Sequence, residues 1–489
     1  MSSPDGSKVN AVHISVLSTG KVLITAGSGY NRENFAARLF RAWVFDPNTK
    51  ALTPVPNLPD DLFCSGHMHD QNGVPIFFGG TGRYGSPASF PGSPEYYTGT
   101  RKVYAFDVYS NSFKPRADMA VARWYPNAVA NAAGRPVVVG GLDANSVATD
   151  VNESYSTQTN TTTVLPGRRA FPMYAGLHLL ASGYYFYSGQ NTFGRIGHSP
   201  GIWNWTNNAF KPVPGLAAPD CRDQSASVMM YPAQAQKVML IGGGCTTSTT
   251  GTTAIATLTG AAPTYKPGPW LGWPTMYSCA INLPDRSVFV AGGSNHNTNP
   301  QLRASVLKYG ATTWTPVASP KIAREYHSSC ALNVDGSVDT FGSNVGTNVE
   351  TRVERYRPWY MHTTRPAITG GIGSIIYLGG TSLVSYSGPY KITDATLTRL
   401  TSSTHSSDPN ARQVRATVVQ QSTTGKIGLR YESRWGVMPL GKYMLSLIDS
   451  RGVPSVSRIV QVVKPPSGSS APAYAAQPVG CAHCCGGEC

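Results

Sequence analysis

The stretch GRPVVVGGLD, residues 134–143, decides how the rest of this 489-residue chain is read. A turn glycine leads into a short apolar strand, and a glycine pair closes it. Related copies are GKVLITAGSG (20–29), GVPIFFGGTG (73–82), GYYFYSGQN (183–191), QKVMLIGGGC (236–245), RSVFVAGGSN (286–295) and GSVDTFGSN (336–344). They recur at roughly fifty residues, a period that belongs to repeat architectures. Before each lies another apolar strand, as in NAVHISVLST or TMYSCAINLPD. After most comes a strand ending in an aromatic and a polar turn, as in KVYAFDVYSNSF.

Each unit is therefore a four-stranded antiparallel sheet with tight hairpins. One such sheet leaves both faces unburied; seven set radially cover each other and leave only short edges. The chain is expected to be all-β, with a seven-bladed kelch-type β-propeller over residues 1–355. A pair of two-sheet domains would not repeat in this four-part order. VERYRPWYM (353–361), with a proline and bulky aromatics, marks a junction. Residues 356–464 carry further short strands without the glycine pairs (SIIYLGG, QVRATVVQ, KIGLRYES), as in a β-sandwich. Residues 465–489 form a flexible linker rich in Pro, Ser and Ala, ending in CAHCCGGEC.

Charged residues are only 13% of the chain, so Ser, Thr, Asn and Gly must supply the polar surface, as in many extracellular β proteins. The formal net charge is +15, but the basic residues are scattered singly, and no nucleic-acid role is expected. No run of eighteen apolar residues exists, so no membrane span is expected. The start, MSSPDGSKVN, has no signal-peptide core; a secreted or extracytoplasmic protein would have lost its leader before this numbering. Nine cysteines are present, an odd number, so at least one lies outside intrachain disulfides. Cys221 and Cys245 bracket a hairpin-sized segment suited to pairing. Cys279 and Cys330 hold equivalent positions in adjacent blades, either close together or as buried small side chains.

The segments feeding the innermost strands carry a distinctive set: LFCSGHMHD (62–70), ARWYPNAV (122–129) and REYHSSC (324–330). THSSDPN (404–410) is a turn in the C-terminal domain from which a histidine can reach the propeller axis. Two imidazoles and two phenols make a nitrogen and oxygen donor set suited to copper(II), or to redox-silent zinc. Side chains of neighbouring strand residues point to opposite faces, so Tyr326 and His327 approach one metal only if the backbone bends there.

Cys64 in LFCSG, Tyr125 in ARWY, the Tyr326–His327 pair and His405 in TH-x-x-D, in this order on this repeat, resemble the copper radical oxidases, the family of galactose oxidase and glyoxal oxidase. The resemblance runs from about residue 10 to 463 and implies that the sandwich is immunoglobulin-like and supplies one ligand. It implies a thioether between Cys64 and the ring of Tyr125, a radical on that tyrosine, and one copper ion held by Tyr125, Tyr326, His327 and His405. Tyr326 would be the axial ligand and the base for the substrate hydroxyl. The implied reaction is two-electron oxidation of a primary alcohol, an aldehyde or a glycan end group, with dioxygen reduced to hydrogen peroxide. The alternative is a non-catalytic kelch propeller that binds glycan or protein.

In this family an aromatic ring often covers the crosslinked sulfur. The segment after Tyr125, GRPVVVGGLDANSVATD, holds no tryptophan. Trp124, Trp203, Trp205, Trp270 and Trp273 are candidates, with Trp203 or Trp205 favoured. Arg123 and Arg324 are expected to brace turns, and His67 and His69 to be local structure near Cys64. One of Tyr174 and His178 is expected to face the channel. The long excursion GRYGSPASFPGSPEYYTG (82–99) lies nearer the glyoxal oxidase pattern and favours small aldehydes or simple alcohols.

Overall fold

The computed structural model describes residues 9–466 except 57, 87, 193–198, 246–247, 346–347 and 422–424. The linker beyond 466 and CAHCCGGEC lie outside the described residues. Seven antiparallel blades follow one another along the chain. Their first strands are His13–Val16, Gly66–His69, Asn127–Ala130, Leu177–Leu179, Ala226–Met229, Cys279–Asn282 and Ser329–Leu332. These strands lie against those of neighbouring blades and form the innermost ring. Successive strands step outward from them, each hairpin pairing sequential neighbours. The seven-bladed expectation holds, with one difference. Among the described residues the seventh blade has three strands, Ser329–Leu332, Val338–Phe341 and Glu354–Tyr356. Tyr356 still pairs with Val338, so the junction begins one residue later than expected.

The glycine pairs have a steric cause. Gly79 and Gly80 close the second strand of blade 2 with φ of 72° and 129°. A Cβ on Gly79 would collide with the carbonyl of Arg123, in the segment entering the next blade. One on Gly80 would collide with the carbonyl of Asp61, in the segment entering its own blade. The pair is thus the place where two entry segments squeeze past a strand end, and only residues without side chains fit there.

The C-terminal unit is an eight-stranded arrangement running Ala367–Gly370, Thr381–Ser387, Lys426–Arg430, Gln413–Gln421, Ile392–Arg399, Gly441–Asp449, Arg458–Val463, Ile375–Tyr377. Gln413–Gln421 pairs at its start with Ile392–Arg399 and at its end with Lys426–Arg430, so it passes from one sheet of the sandwich to the other. Its core is continuous with that of the propeller. Leu397, Leu429, Leu445 and Val460 pack in one apolar cluster with Phe186, Met229, Val238 and Leu240 of blades 4 and 5. Each such buried side chain contributes about 1.5–3 kcal/mol, so the two units are held rigidly together.

One strand crosses between them. Ser402–Thr404 leaves the sandwich and pairs antiparallel with His13–Ser15, becoming a fifth, innermost strand of blade 1 on the propeller axis. Asn410 fastens the return: its Oδ1 accepts from the Ala130 N–H at 2.8 Å and its Nδ2 donates to the Ala128 carbonyl at 3.0 Å. The tip of this finger is His405.

Two disulfides tie the propeller. Cys221–Cys245 closes the hairpin-sized segment, and Cys279–Cys330 joins the inner strands of blades 6 and 7. Cys64 is free and buried.

Candidate metal centre

Five of the entry segments place a residue with left-handed backbone two positions before the inner strand: Cys64, Tyr125, Gln224, Tyr277 and His327, with φ of 62°, 61°, 55°, 63° and 64°. In blade 4 the residue is Tyr174, φ 43°, three positions before its strand. This conformation costs a non-glycine residue about 1–2 kcal/mol, and such strain gathers at functional sites. Backbone bonds around the axis offset it. The Tyr125 N–H donates to the Cys64 carbonyl at 2.8 Å, Tyr174 to Tyr125 at 3.2 Å, and Tyr277 to Gln224 at 2.9 Å. The Cys64 N–H donates to Nε2 of His13 at 3.1 Å. The propeller mouth is thus a ring of equivalent sockets, each turning one side chain toward the axis.

The bend expected at Tyr326 and His327 is this socket. With His327 left-handed, the two adjacent rings come to 3.8 Å between centroids at 32°. His405 has its own local cause. Thr404 and Ser407 exchange both backbone hydrogen bonds, and the two residues between them have φ of 49° and 61°. That is a two-residue hairpin turn of the type whose central residues both need positive φ.

These elements bring four predicted ligands and Cys64 together. Nε2 of His405 lies 3.1 Å from the Tyr125 hydroxyl. The hydroxyls of Tyr125 and Tyr326 are in contact. The Cys64 thiol is within hydrogen-bonding reach of the Tyr125 hydroxyl. The Cys64 sulfur and ring nitrogens of His327 and His405 all lie within 4.8 Å of one another. All are buried except Tyr326, which is half-buried at the mouth.

The tautomers suit a metal. Nδ1 of His327 donates to the Asn344 carbonyl at 3.0 Å, and its Nε2 is buried without a partner. Thr404 Oγ1 spends its proton on the Val12 carbonyl at 3.2 Å and so accepts from Nδ1 of His405 at 2.7 Å. Both imidazoles therefore present an unprotonated Nε2 to one space, that of His405 accepting from the Tyr125 hydroxyl, and both are oriented from behind as metal-ligating histidines usually are. Burial holds His327 down to about 3, so it stays neutral. Burial also holds His405 well below the ordinary histidine value, helped by His327, His13 and His67. Tyr125 is pushed well up by burial, then by Cys64 and Tyr326, and burial raises Tyr326 likewise. A cation between two such phenols reverses that preference and draws off their protons. Copper(II) fits this donor set.

The other expectations divide. Trp124 lies against Tyr125, centroids 4.2 Å apart, in an apolar cluster that includes Cys64. Tyr97, from the 82–99 excursion, stacks on Trp124 at 4.6 Å and 11°. The structure does not bring Trp203 or Trp205 to this site: Trp203 packs on Phe171 in blade 4, and Trp205 Nε1 donates to the Gly183 carbonyl. Trp270 is exposed and Trp273 is buried in another cluster. The proline-flanked pattern around Trp124 offered no signal beyond its place beside Tyr125.

Arg123 and Arg324 are braces. Arg123 donates to the Gly140 and Val151 carbonyls and pairs with Glu153 at 2.7 Å, both partners fully buried. Arg324 donates to the carbonyls of Gly342, Thr340 and Arg352. Arg222 does the same in blade 5 with the Gly242 carbonyl. His67 and His69 lie on the inner strand of blade 2. His67 bonds Ser402 of the finger at 2.8 Å. His178 bonds Ser227 at 2.8 Å, and of the blade 4 pair it is Tyr174 that faces the site, 4.6 Å from His405. Sequence reading missed His13, Thr404 and Asn344, which orient the others; a lone His opening HISV carries no pattern. Asn152, in a glycosylation-like NES, is fully buried.

Comparison with known proteins agrees with this fold. The family described as "Galactose oxidase-like, Early set domain" matches residues 365–462. Two galactose oxidases of Gibberella zeae are 25% and 24% identical, each over 91% of this chain and 68% of the relative. The chain is similar to the copper radical oxidases over most of its length. A fungal alcohol oxidase solved in complex with copper shares its fold with a TM-score of 0.79, at 21% identity over 93% of this chain and 98% of the other. The likeness to the galactose oxidases extends over both the propeller and the sandwich that carries His405.

Proposed function

We propose that this protein oxidises a primary alcohol or aldehyde by two electrons and passes them to dioxygen, giving hydrogen peroxide, through a thioether-linked tyrosine formed from Cys64 and Tyr125. The observation that carries the reading is the meeting of one thiol, two phenols and two unprotonated imidazole nitrogens at the mouth of a rigid axis. Tyr125, Tyr326, His327 and His405 are the residues that would hold the metal. Copper bound there supplies one electron equivalent by changing between Cu(II) and Cu(I), which leaves one more to be found. The Tyr125 phenol supplies it, alternating between phenoxyl radical and phenol.

Crosslinking removes the thiol hydrogen and one ring hydrogen as the carbon–sulfur bond forms, with dioxygen as the acceptor of both electrons. The thioether then stiffens Tyr125 and lowers the potential needed to oxidise it. Trp124, with Tyr97 stacked on its far side, covers this pair from solvent. Tyr326, half-exposed at the mouth, takes the hydroxyl proton of the substrate. The disulfides suit an oxidising compartment, and they support secretion. Among the described residues no helix is long and apolar enough to cross a membrane.

Intact mass and peptide mapping of metal-free protein, before and after aerobic copper loading, test the proposal. Loss of two hydrogens with the Cys64 and Tyr125 peptides joined is the expected result. Copper bound with the peptides separate overturns it, and a glycan- or protein-binding propeller then becomes the better reading.

A further inference from the structure

Beside the mouth, between blades 1 and 7, lies a cavity of about 340 Å³. Its walls include Asn10, Tyr30, Arg41 and Trp43. Arg41 opens the third strand of blade 1 opposite Gly27. Among the described residues its guanidinium has no ion pair or hydrogen bond, although it is half-buried. Every fully buried arginine nearby on the axis is braced, so a half-buried fork left open into a cavity is distinctive. Asn10 is buried, its Nδ2 donates to the Gly29 carbonyl at 2.8 Å, and its Oδ1 has no partner. The cavity thus offers one cationic fork and one bare neutral acceptor.

The cavity adjoins the candidate metal centre in two ways. The Tyr30 ring lies 5.6 Å from that of His327. The Gly29 carbonyl also accepts from Nδ2 of Asn344, whose own carbonyl fixes His327. A molecule seated here therefore abuts the support of a ligand.

We propose that this cavity is a substrate subsite for the remote end of a polyhydroxy carboxylate, such as a sugar acid whose far carbon is the alcohol or aldehyde oxidised. Arg41 takes the carboxylate, since a planar fork matches a monoanion with two parallel hydrogen bonds. Asn10 Oδ1 accepts from a hydroxyl, a contact that an oxyanion alone cannot make. The proposal rests on the oxidase reading for the reacting end but not for the binding.

The experiment compares gluconate with its neutral counterpart glucitol, on the full chain and on Arg41→Gln. In peroxide assays of the copper-loaded protein, the wild type is expected to favour gluconate in kcat/KM by about 10- to 100-fold, the scale of a charge-assisted pair. Arg41→Gln is expected to erase that preference, and an unchanged midpoint in urea unfolding shows that the variant folds. Arg41→Lys, with charge but no fork, falls between. Titration calorimetry of copper-free protein gives the second readout: gluconate binds the wild type and not Arg41→Gln. If gluconate binds but no peroxide forms with any substrate, the subsite stands and the oxidase reading fails. Absence of saturable gluconate binding to the wild type, or equal binding by Arg41→Gln, overturns the subsite.

Discussion

Blades 3 and 5 enter the axis in the same way, yet only one of them holds a candidate metal ligand. Each has a buried arginine donating to the carbonyl of its closing glycine pair, Arg123 to Gly140 and Arg222 to Gly242. Each then turns left-handed two residues on, at Tyr125 and Gln224. In blade 3 the socket holds a phenol that meets Cys64, Tyr326 and His405. In blade 5 it holds an amide that bonds Thr192 at 3.4 Å. The backbone device is thus a property of the repeat, and chemistry arises where neighbouring sockets hold complementary side chains. Blades 2, 3 and 7 hold thiol, phenol and imidazole, and the sandwich finger adds the second imidazole.

The largest test of this contrast is at Cys64. Cys64→Ala is expected to abolish the crosslinked peptide pair and cut peroxide formation by about 10³- to 10⁶-fold, as removing one member of a catalytic unit does. Turnover above a tenth of wild type would place the chemistry in another socket.

Next comes the brace. Glu153→Gln leaves Arg123 as a buried charge without its counterion, at an expected loss of about 3–5 kcal/mol in urea unfolding. Arg222 and Arg324 rely on carbonyls, so a loss under 1 kcal/mol would show that blade 3 does too.

A smaller effect is expected at Asp61, whose carboxylate accepts from Ser28 N–H, Ser28 Oγ and Phe63 N–H beside the blade 2 socket. Burial pushes this carboxyl up to about 7. The folded protein then holds a proton that the unfolded chain releases near pH 4. Stability from this group is full below about pH 4 and is lost as pH rises toward 7, a decline on the order of 3 kcal/mol. Asp61→Asn is expected to flatten that decline between pH 4.5 and 7.5 in thermal unfolding; parallel curves for the two proteins would contradict it.

Thr404→Val removes the acceptor behind His405 and is expected to weaken copper affinity by about 10- to 100-fold, measured by competition with a chelator. Because burial keeps His327 down to about 3, affinity in the wild type should stay flat from pH 7 to 5 at this ligand. Smallest is the control: Gln224→Ala should leave copper affinity within about two-fold, and a larger loss would mean that the blade 5 socket takes part.

The residue types at the centre were legible because each sat in a recognisable place in a repeat. Cys64, Tyr125 and the Tyr326–His327 pair all precede an inner strand by two or three residues. The covering ring was not legible. Trp203 and Trp205 lie in blade 4, a blade away from Tyr125, while Trp124 is adjacent in sequence to Tyr125 and lies against it where that residue is left-handed. Tyr97 comes from an excursion whose path no periodicity describes. His13, Thr404 and Asn344 escaped notice because each works by one hydrogen bond across blades, which leaves no trace in local spacing.

The glycine-pair period and the alternation of short strands were enough to specify seven blades and a following sandwich. These are local patterns, and strand pairing between sequential neighbours carries them directly into the fold. The thiol, the phenols and the imidazoles were also visible as types. Their convergence came from folding alone. It needed a strand from the sandwich to add to blade 1, two-residue turn geometry at His405, and a hydrogen-bonded ring of strained residues around the axis. Contacts between residues 125 and 405, or 13 and 64, depend on how a closed ring brings distant segments to one mouth.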